Sequence, residues 1–167
     1  KHFLFDAGTS TFDSSLFWFT CAYSQRGVSF DQVFGWEMTL LEPVDYWRRV
    51  PALWKPYWHF HNVPVQASAQ DADSPLRYIQ QLAGPGDFVA FKLDIDSPDM
   101  EMPIALALRD SAQLAGLVDE FFFELHFSCG WGKRVPAESH GLPLLRHRVL
   151  QYFLDLRRSG MRAHIWP

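Results

Sequence analysis

Runs of apolar residues that end in an acidic side chain recur along this chain. They cover residues 2–6, 33–37 and 88–96, and a fourth run covers residues 121–126. Because a strand covered on both faces is apolar at almost every position, such runs predict strands of a parallel sheet. Ligands of open parallel sheets bind just beyond the carboxyl ends of the strands. The pattern therefore predicts a buried sheet with a polar site along one edge.

Segments with helical spacing separate these runs. The first begins near Ser14 and places Leu16, Phe19, Thr20 and Tyr23 on one face. Further helices are predicted over residues 43–50, 75–83 and 143–158, and from residue 98 onwards. Alternating strands and helices predict an α/β fold, a three-layer Rossmann-like sandwich with a mostly parallel sheet.

Three details of this prediction depend on prolines and aromatic residues. The aromatic-rich segment after Trp54 is expected to lead into a third strand that ends near Val65. Pro103 is expected to break or kink the helix that begins at Pro98. The last strand is predicted from Met161 onwards, after the chain turn at residue 160.

Size and composition indicate one globular domain. The chain has 167 residues, of which 48% are hydrophobic and 16% aromatic, so it can bury a core. Because Lys1 already stands at the start of a strand, we expect these residues to be a single domain of a longer protein.

Charge and cysteine content restrict the partners and the compartment. The net charge of −4 and the lack of a basic stripe argue against nucleic acid as a partner. Cys21 and Cys129 do not form a disulfide framework or a CxxC metal motif, which favours a reducing compartment such as the cytoplasm. No apolar stretch is long enough to span a bilayer, and no signal peptide is recognisable.

Two common nucleotide-binding motifs are missing from the sequence, beginning with the turn after the first predicted strand. Asp6-Ala7-Gly8-Thr9 follows the first apolar run, where a small residue allows close backbone approach. A dinucleotide fingerprint requires G-x-G-x-x-G, and here only Gly8 is present. The sequence also lacks a Walker A loop, so ATPase chemistry is disfavoured.

These motifs, in their order along the chain, resemble the class I methyltransferases that use S-adenosylmethionine. Asp6-Ala7-Gly8 matches the first motif of that superfamily, and Glu37 matches the acid that ends its second strand. The likeness is greatest to the FkbM-type family, whose fourth strand reads Lys-x-Asp-x-Glu-Gly where this chain has residues 92–97. Glu124 matches the acid that ends the fifth strand of that family.

The resemblance implies S-adenosylmethionine as the cofactor and methyl transfer to oxygen of a small molecule or glycan as the activity. It implies that residues 6–9 and Glu37 bind the cofactor, with the Glu37 carboxylate accepting hydrogen bonds from a ribose diol. Phe12 stands where the family has a second glycine, and it is expected to narrow the methionine end of the pocket. The third strand also lacks the acid that often holds the adenine in this superfamily.

The acceptor side of the site needs a group that takes a proton from the reacting hydroxyl. Asp94, Asp96, Glu124 and His126 are the candidates, because their strands are expected to be sheet neighbours. Since residues at i and i+2 of a strand share a face, one of the two aspartates is expected to be central and the other to support a turn.

Three alternatives remain open. The domain could lack catalysis and serve as a binding or scaffold module, because fold alone does not define function. It could be a glycosyltransferase that holds a metal on Asp94-x-Asp96. The four acceptor-side residues could also form an oxygen-rich metal site, although we expect no resident metal ion.

Overall fold

The computed structural model of the chain describes residues 1–124 and 146–166. Its strands are β1 (His2–Ala7), β2 (Gln32–Trp36), β3 (Trp58–His61), β4 (Phe88–Leu93), β5 (Glu120–Glu124) and β6 (Arg162–Trp166). Its helices are α1 (Ser15–Ser24), α2 (Pro43–Arg49), α3 (Pro75–Leu82), α4 (Pro98–Asp110), α5 (Ala112–Ala115) and α6 (Arg146–Arg158). Strands and helices alternate along the chain, as the apolar pattern predicts.

The six strands form one sheet in the order β3-β2-β1-β4-β5-β6. All five neighbouring pairs are parallel. This is the order of the doubly wound Rossmann fold, in which the chain reverses direction across the sheet between β1 and β4. The predicted α/β Rossmann-like fold is therefore confirmed, and the carboxyl ends of all strands lie along one edge.

Alternate residues of each strand pack against opposite layers of helices. In β1, Phe3, Phe5 and Ala7 belong to the core on one face, where α3, α4, α5 and α6 pack. Leu4 belongs to the core on the other face, which α1 and α2 cover. Because both faces are buried, the strand shows no polar alternation, and this explains the continuous apolar run.

The third strand differs from its predicted position. It ends at His61, whereas the sequence pattern places its end near Val65. Its last pair with β2 joins His61 to Trp36. Pro64 lacks the N–H that a longer parallel ladder would need, so Val63 to Val65 continues as a loop.

Pro103 also differs from its prediction, because α4 runs without a break through it to Asp110. The helix buries Met102, Ile104, Ala105 and Leu108 against the sheet. This apolar burial offsets the helical hydrogen bond that a proline cannot donate.

Two residues named in the sequence analysis, His126 and Cys129, lie outside the described residues. The structure describes β5 as far as its last residue, Glu124. Within the described ranges no helix is long and apolar enough to cross a membrane.

Candidate functional site

A cavity of about 410 Å³ opens at the carboxyl ends of β1, β2 and β4. Three acidic side chains, Glu37, Asp94 and Asp96, line it together with apolar residues. Its remaining described lining consists of Gly8, Ser10, Trp36, Met38, Thr39, Pro64, Val65, Ile95, Ser97 and Met100. The cavity therefore lies where the strand order predicts a ligand, next to the point at which the chain direction reverses.

Gly8 forms the tight turn that leaves β1 for the cavity wall. Its φ is +89°, and a Cβ placed on it would lie 1.5 Å from the carbonyl oxygen of Asp94. The N–H groups of Gly8 and Thr9 both donate to the carbonyl oxygen of Trp36, each at 3.0 Å. The space that glycine leaves is thus filled by the backbone after β4, and no side chain fits there.

Glu37 stands one residue after β2 and binds two backbone groups of the cavity wall. One carboxylate oxygen accepts from the N–H of Ser10 at 3.0 Å, and the other accepts from the N–H of Thr39 at 2.6 Å. Asn62 holds the same loop by donating to the carbonyl oxygens of Glu37 and Thr39. Because a carboxylate has about four acceptor positions, Glu37 can still accept hydrogen bonds from a ligand.

A buried lysine joins β1 to the end of β4. The Lys92 side chain is only 1% exposed. Its ammonium nitrogen lies 3.1 Å from an Asp6 carboxylate oxygen and 2.8 Å from an Asp94 carboxylate oxygen. It also donates to the carbonyl oxygen of Gly8 at 3.1 Å. Burial alone lowers the pKa of Lys92, but the two carboxylates outweigh this effect and the pKa is raised, so the side chain stays charged.

Asp6 acts on the site indirectly. Its carboxylate is fully buried, and its second oxygen accepts from the Ser15 hydroxyl at the start of α1, at 2.6 Å. Asp6 does not line the cavity, and the direct contact with a cofactor that the resemblance implies stays a prediction. The side chain instead fixes the turn, the first helix and Lys92 relative to one another.

The two aspartates after β4 both line the cavity. The strand ends at Leu93, and Asp96 has a φ of 55°, so the chain turns back between them. The turn at Asp96 agrees with the prediction that one of the two aspartates supports a turn, and both side chains line the cavity. Asn and Asp tolerate the left-handed region better than other non-glycine residues, which suits Asp96 to this turn.

Glu124 lies beside Asp94 at the end of the neighbouring strand. Its pKa is raised to about 8 by burial first, then by a hydrogen bond to Asp94 and by the negative charges of Asp94, Asp96 and Glu101. A carboxyl group that titrates near neutral pH can donate or accept a proton under physiological conditions. Glu124 is one of the four residues proposed from the sequence as the proton acceptor, and His126, another of them, lies outside the described residues.

The other residues predicted to bind the cofactor are not in the cavity wall. The side chains of Ala7 and Thr9 are fully buried. Phe12 is buried among Trp54 and Trp58 in the core beneath α1 and α2, with ring centroids 6.3 and 6.2 Å away. The expectation that Phe12 narrows the pocket is therefore not met.

A second, more open cavity of about 570 Å³ lies beside the start of α1 and the ends of β5 and β6. Aromatic rings of Trp18, Phe122 and Trp166 form much of its described wall. Lys92 lies 5.8 Å from the centre of the Trp166 ring, within the range of a cation–π contact. The buried lysine thus contacts residues of both cavities.

Metal-binding side chains do not cluster in the part of the chain that the structure describes. No group of three or more His, Cys, Asp or Glu residues there could hold a metal ion.

Comparisons with known proteins do not assign this chain to a family. No protein-family model matches the sequence, and no curated protein is significantly similar to it. Among solved structures, the chain is similar to the Bordetella bronchiseptica enzyme WbmF in complex with NADH, with 12% identity and a TM-score of 0.43. The alignment covers 98% of this chain and 47% of WbmF, so the chain spans about half the length of that enzyme.

Proposed function

We propose that this domain binds S-adenosylmethionine and methylates an oxygen of a small molecule or glycan. The observation that carries the proposal is the cavity at the ends of β1, β2 and β4, in which Glu37 lies next to the Gly8 turn and shares the wall with Asp94 and Asp96. An enzyme that binds a nucleotide at this edge is the broader form of the same proposal, and a Rossmann-like sheet supports it.

The described lining of the cavity suits the adenosine part of the cofactor. The Glu37 carboxylate is oriented by two backbone N–H groups and has acceptor positions left for a ribose diol. Met38, Val65 and Ile95 provide apolar surface for a flat base. We assign the ribose to Glu37 and the adenine to this apolar surface.

Charge favours S-adenosylmethionine over a dinucleotide. Three carboxylates and no lysine or arginine are among the described lining residues. A site of this charge attracts the cationic methionine part of S-adenosylmethionine and repels a pyrophosphate. The turn after β1 also has only one of the three glycines of a dinucleotide fingerprint.

The acceptor side is formed by the carboxyl groups at the ends of β4 and β5. When bound, the cofactor supplies an electrophilic methyl group on its sulfonium sulfur. Asp94 and Glu124 lie beside each other at this edge and can take the proton that the acceptor hydroxyl loses. Alignment of the two reactants in the cavity is expected to supply most of the rate, several kcal/mol in all.

Calorimetric binding of S-adenosylhomocysteine tests the proposal. We expect the parent protein to bind it, and Glu37→Ala to weaken binding by about 1–3 kcal/mol through the loss of charged hydrogen bonds. Glu42→Ala is the matched control, because Glu42 is an exposed glutamate in the same loop that does not line the cavity.

Two results would contradict this assignment. Binding of NADH without binding of S-adenosylhomocysteine would favour the dinucleotide interpretation. Equal affinities for Glu37→Ala and the parent would remove Glu37 from the site. Tight binding without turnover of any hydroxyl acceptor would instead favour the non-catalytic alternative.

A further inference from the structure

Lys92 is a charged residue in the middle of a strand that is otherwise apolar and buried. Residues 88–93 read Phe-Val-Ala-Phe-Lys-Leu, and the ammonium is buried between Asp6, Asp94 and the carbonyl oxygen of Gly8. Burying an ammonium group is costly unless it is paired and hydrogen-bonded. These three contacts satisfy all of its N–H donors.

Asp94 directly follows β4, and Glu124 is the last residue of the neighbouring strand β5. The parallel pairing of β4 and β5 sets Lys92 opposite Phe122 and Leu93 opposite Phe123. The same register brings the next two residues, Asp94 and Glu124, side by side, and their carboxyl groups are hydrogen-bonded. Two ionised carboxylates have no hydrogen atom to share, so a hydrogen bond between these groups forms when the pair holds one proton, a state that the raised pKa of Glu124 favours.

The position of the ammonium group decides which carboxyl group carries that proton. Lys92 lies 2.8 Å from an Asp94 oxygen, and an opposite charge at this distance favours the ionised form. We propose that Lys92 is a positioning residue that keeps Asp94 ionised and thereby places the proton of the carboxyl pair on Glu124. Lys92 acts through Asp94 and is itself too buried to meet a ligand.

The other charged groups around Glu124 agree with this arrangement. Asp94 and Asp96 face it from the segment after β4, Glu101 faces it from α4, and all three are negative. Their charges favour the neutral form of Glu124, as does its partial burial, and they raise its pKa to about 8. Among the described residues, Lys92 provides a positive charge near this pair, and its ion pairs are with Asp94 and Asp6.

In the proposed function, the carboxyl pair would accept the proton of the acceptor hydroxyl. This step of the inference rests on the proposed function. In methyl transfer the acceptor oxygen would form a bond to the methyl carbon as the methyl–sulfur bond of the cofactor breaks and S-adenosylhomocysteine leaves, and the acceptor O–H bond would break. The proton would pass to Glu124, which must be ionised beforehand. Turnover should therefore rise with pH through about pH 8 and level off above it.

The location of the proton can be measured without any ligand. The experiment uses protein labelled with ¹³C at the side-chain carboxyl carbons of Asp and Glu, followed by NMR from pH 4 to pH 10. The Glu124→Gln and Asp94→Asn variants assign the two signals. At pH 7 we expect the Glu124 carbon at the shift of a protonated carboxyl and the Asp94 carbon at that of a carboxylate.

Three variants then test the role of Lys92. In Lys92→Met the two signals should move towards each other at pH 7, because the proton is no longer confined to Glu124. In Asp94→Asn the Glu124 midpoint should fall by about 1–3 pH units, the effect of one neighbouring charge. Asp96→Asn is the control: asparagine also tolerates the turn, and a smaller decrease is expected.

Lys92→Met alone leaves the Asp6 carboxylate buried without its cation, which can prevent folding. The double variant Asp6→Asn/Lys92→Met removes both charges and retains an oxygen that the Ser15 hydroxyl can donate to. Unchanged Glu124 and Asp94 signals in this folded variant would overturn the proposal and leave Lys92 a purely structural residue. A parent in which Glu124 is ionised at pH 7 would also overturn it.

The outcome can be separated from that of the proposed function. If the titrations are as expected but S-adenosylhomocysteine does not bind, the cofactor assignment fails and the role of Lys92 stands. If the cofactor analogue binds but the titrations differ, only the inference about Lys92 fails.

Discussion

At the scale of single residues, Gly8 is the position most tightly constrained by its surroundings. A methyl group added to it would overlap the Asp94 carbonyl group, and its φ is also strained for other residues. We predict that Gly8→Ala costs at least about 4 kcal/mol or prevents folding, because two backbone segments would have to separate. Thermal unfolding followed by circular dichroism measures the change.

Gly27→Ala is the matched control for this prediction. Gly27 has a φ of +76°, but nothing lies within 4 Å of the added carbon. Gly27→Ala should therefore lower the free energy of unfolding only by the backbone strain, about 1–2 kcal/mol. Equal losses of stability in the two variants would show that the contact with Asp94 does not constrain the turn.

The sequence predicts individual site residues only where their role depends on the backbone. Gly8 and Glu37, which were predicted to bind the cofactor, line the cavity because a strand end and a turn place them there. The Lys92–Asp6 pair was missed, since the two residues are 86 positions apart and meet only through the pairing of β1 with β4. A charged residue inside a run that is buried on both faces was the available signal.

At the scale of secondary structure elements, α4 contains an internal proline whose effect on stability can be tested. Pro103 lies in its second turn and is exposed, so the helix lacks one N–H donor without gaining a packing contact there. We predict that Pro103→Ala stabilises the domain by about 1–2 kcal/mol, after allowance for the greater freedom of the unfolded chain. For a domain of this size the melting temperature should rise by about 2–8 °C.

Pro98→Ala provides the comparison within the same helix. Pro98 occupies the first helical position, where proline is favourable and no N–H donor is needed. This variant should therefore be neutral or slightly destabilised. A decrease in melting temperature for Pro103→Ala would show that the proline stabilises the helix in its present form.

The elements that the apolar pattern predicts well are those buried on both faces. β1, β2, β4 and β5 are covered by helices on each side, so each is mostly apolar, with Lys92 as the charged exception inside β4. β3 was misplaced because it lies at the edge of the sheet and contains His59 and His61, while the apolar residues around Pro64 belong to a loop. Its position is determined by pairing with β2, which no local pattern records.

At the scale of the whole molecule, the topology explains why residues far apart in sequence form one site. In the parallel sheet the strands β2, β1, β4 and β5 lie next to one another in that order. Their carboxyl ends therefore share one edge of the sheet. The site location could therefore be predicted once the strands were recognised. The distribution of protons within it could not, because that depends on side-chain distances between Lys92, Asp94 and Glu124.

The same carboxyl group should affect the stability of the whole domain. Glu124 has an ordinary pKa of 4.5, which applies to the unfolded chain, and a pKa of about 8 in the folded protein. Between these values the folded state holds one more proton than the unfolded state, so stability falls as pH rises. Below about pH 4.5 the contribution is fully present, and above about pH 8 it is lost.

His59 and His61 act in the opposite direction. Burial lowers the pKa of both side chains, so the unfolded state binds more protons below about pH 6.5, and stability rises with pH there. The pH dependence of the parent's stability therefore does not isolate the contribution of Glu124. The difference in stability between the parent and Glu124→Gln isolates it, because the histidine contributions are the same in both proteins and cancel.

We predict that the melting temperature of the parent minus that of Glu124→Gln decreases from pH 5 through pH 8 and levels off above about pH 9, one unit above the pKa of Glu124. Glutamine retains a polar group that can donate to Asp94 but cannot lose a proton, so the variant lacks this dependence. Calorimetry at each pH provides the measurement, with Glu42→Gln as an exposed control whose difference from the parent should stay flat. A constant difference for Glu124→Gln across the range would mean that Glu124 is already ionised at pH 5, and that the carboxyl pair holds no proton at neutral pH.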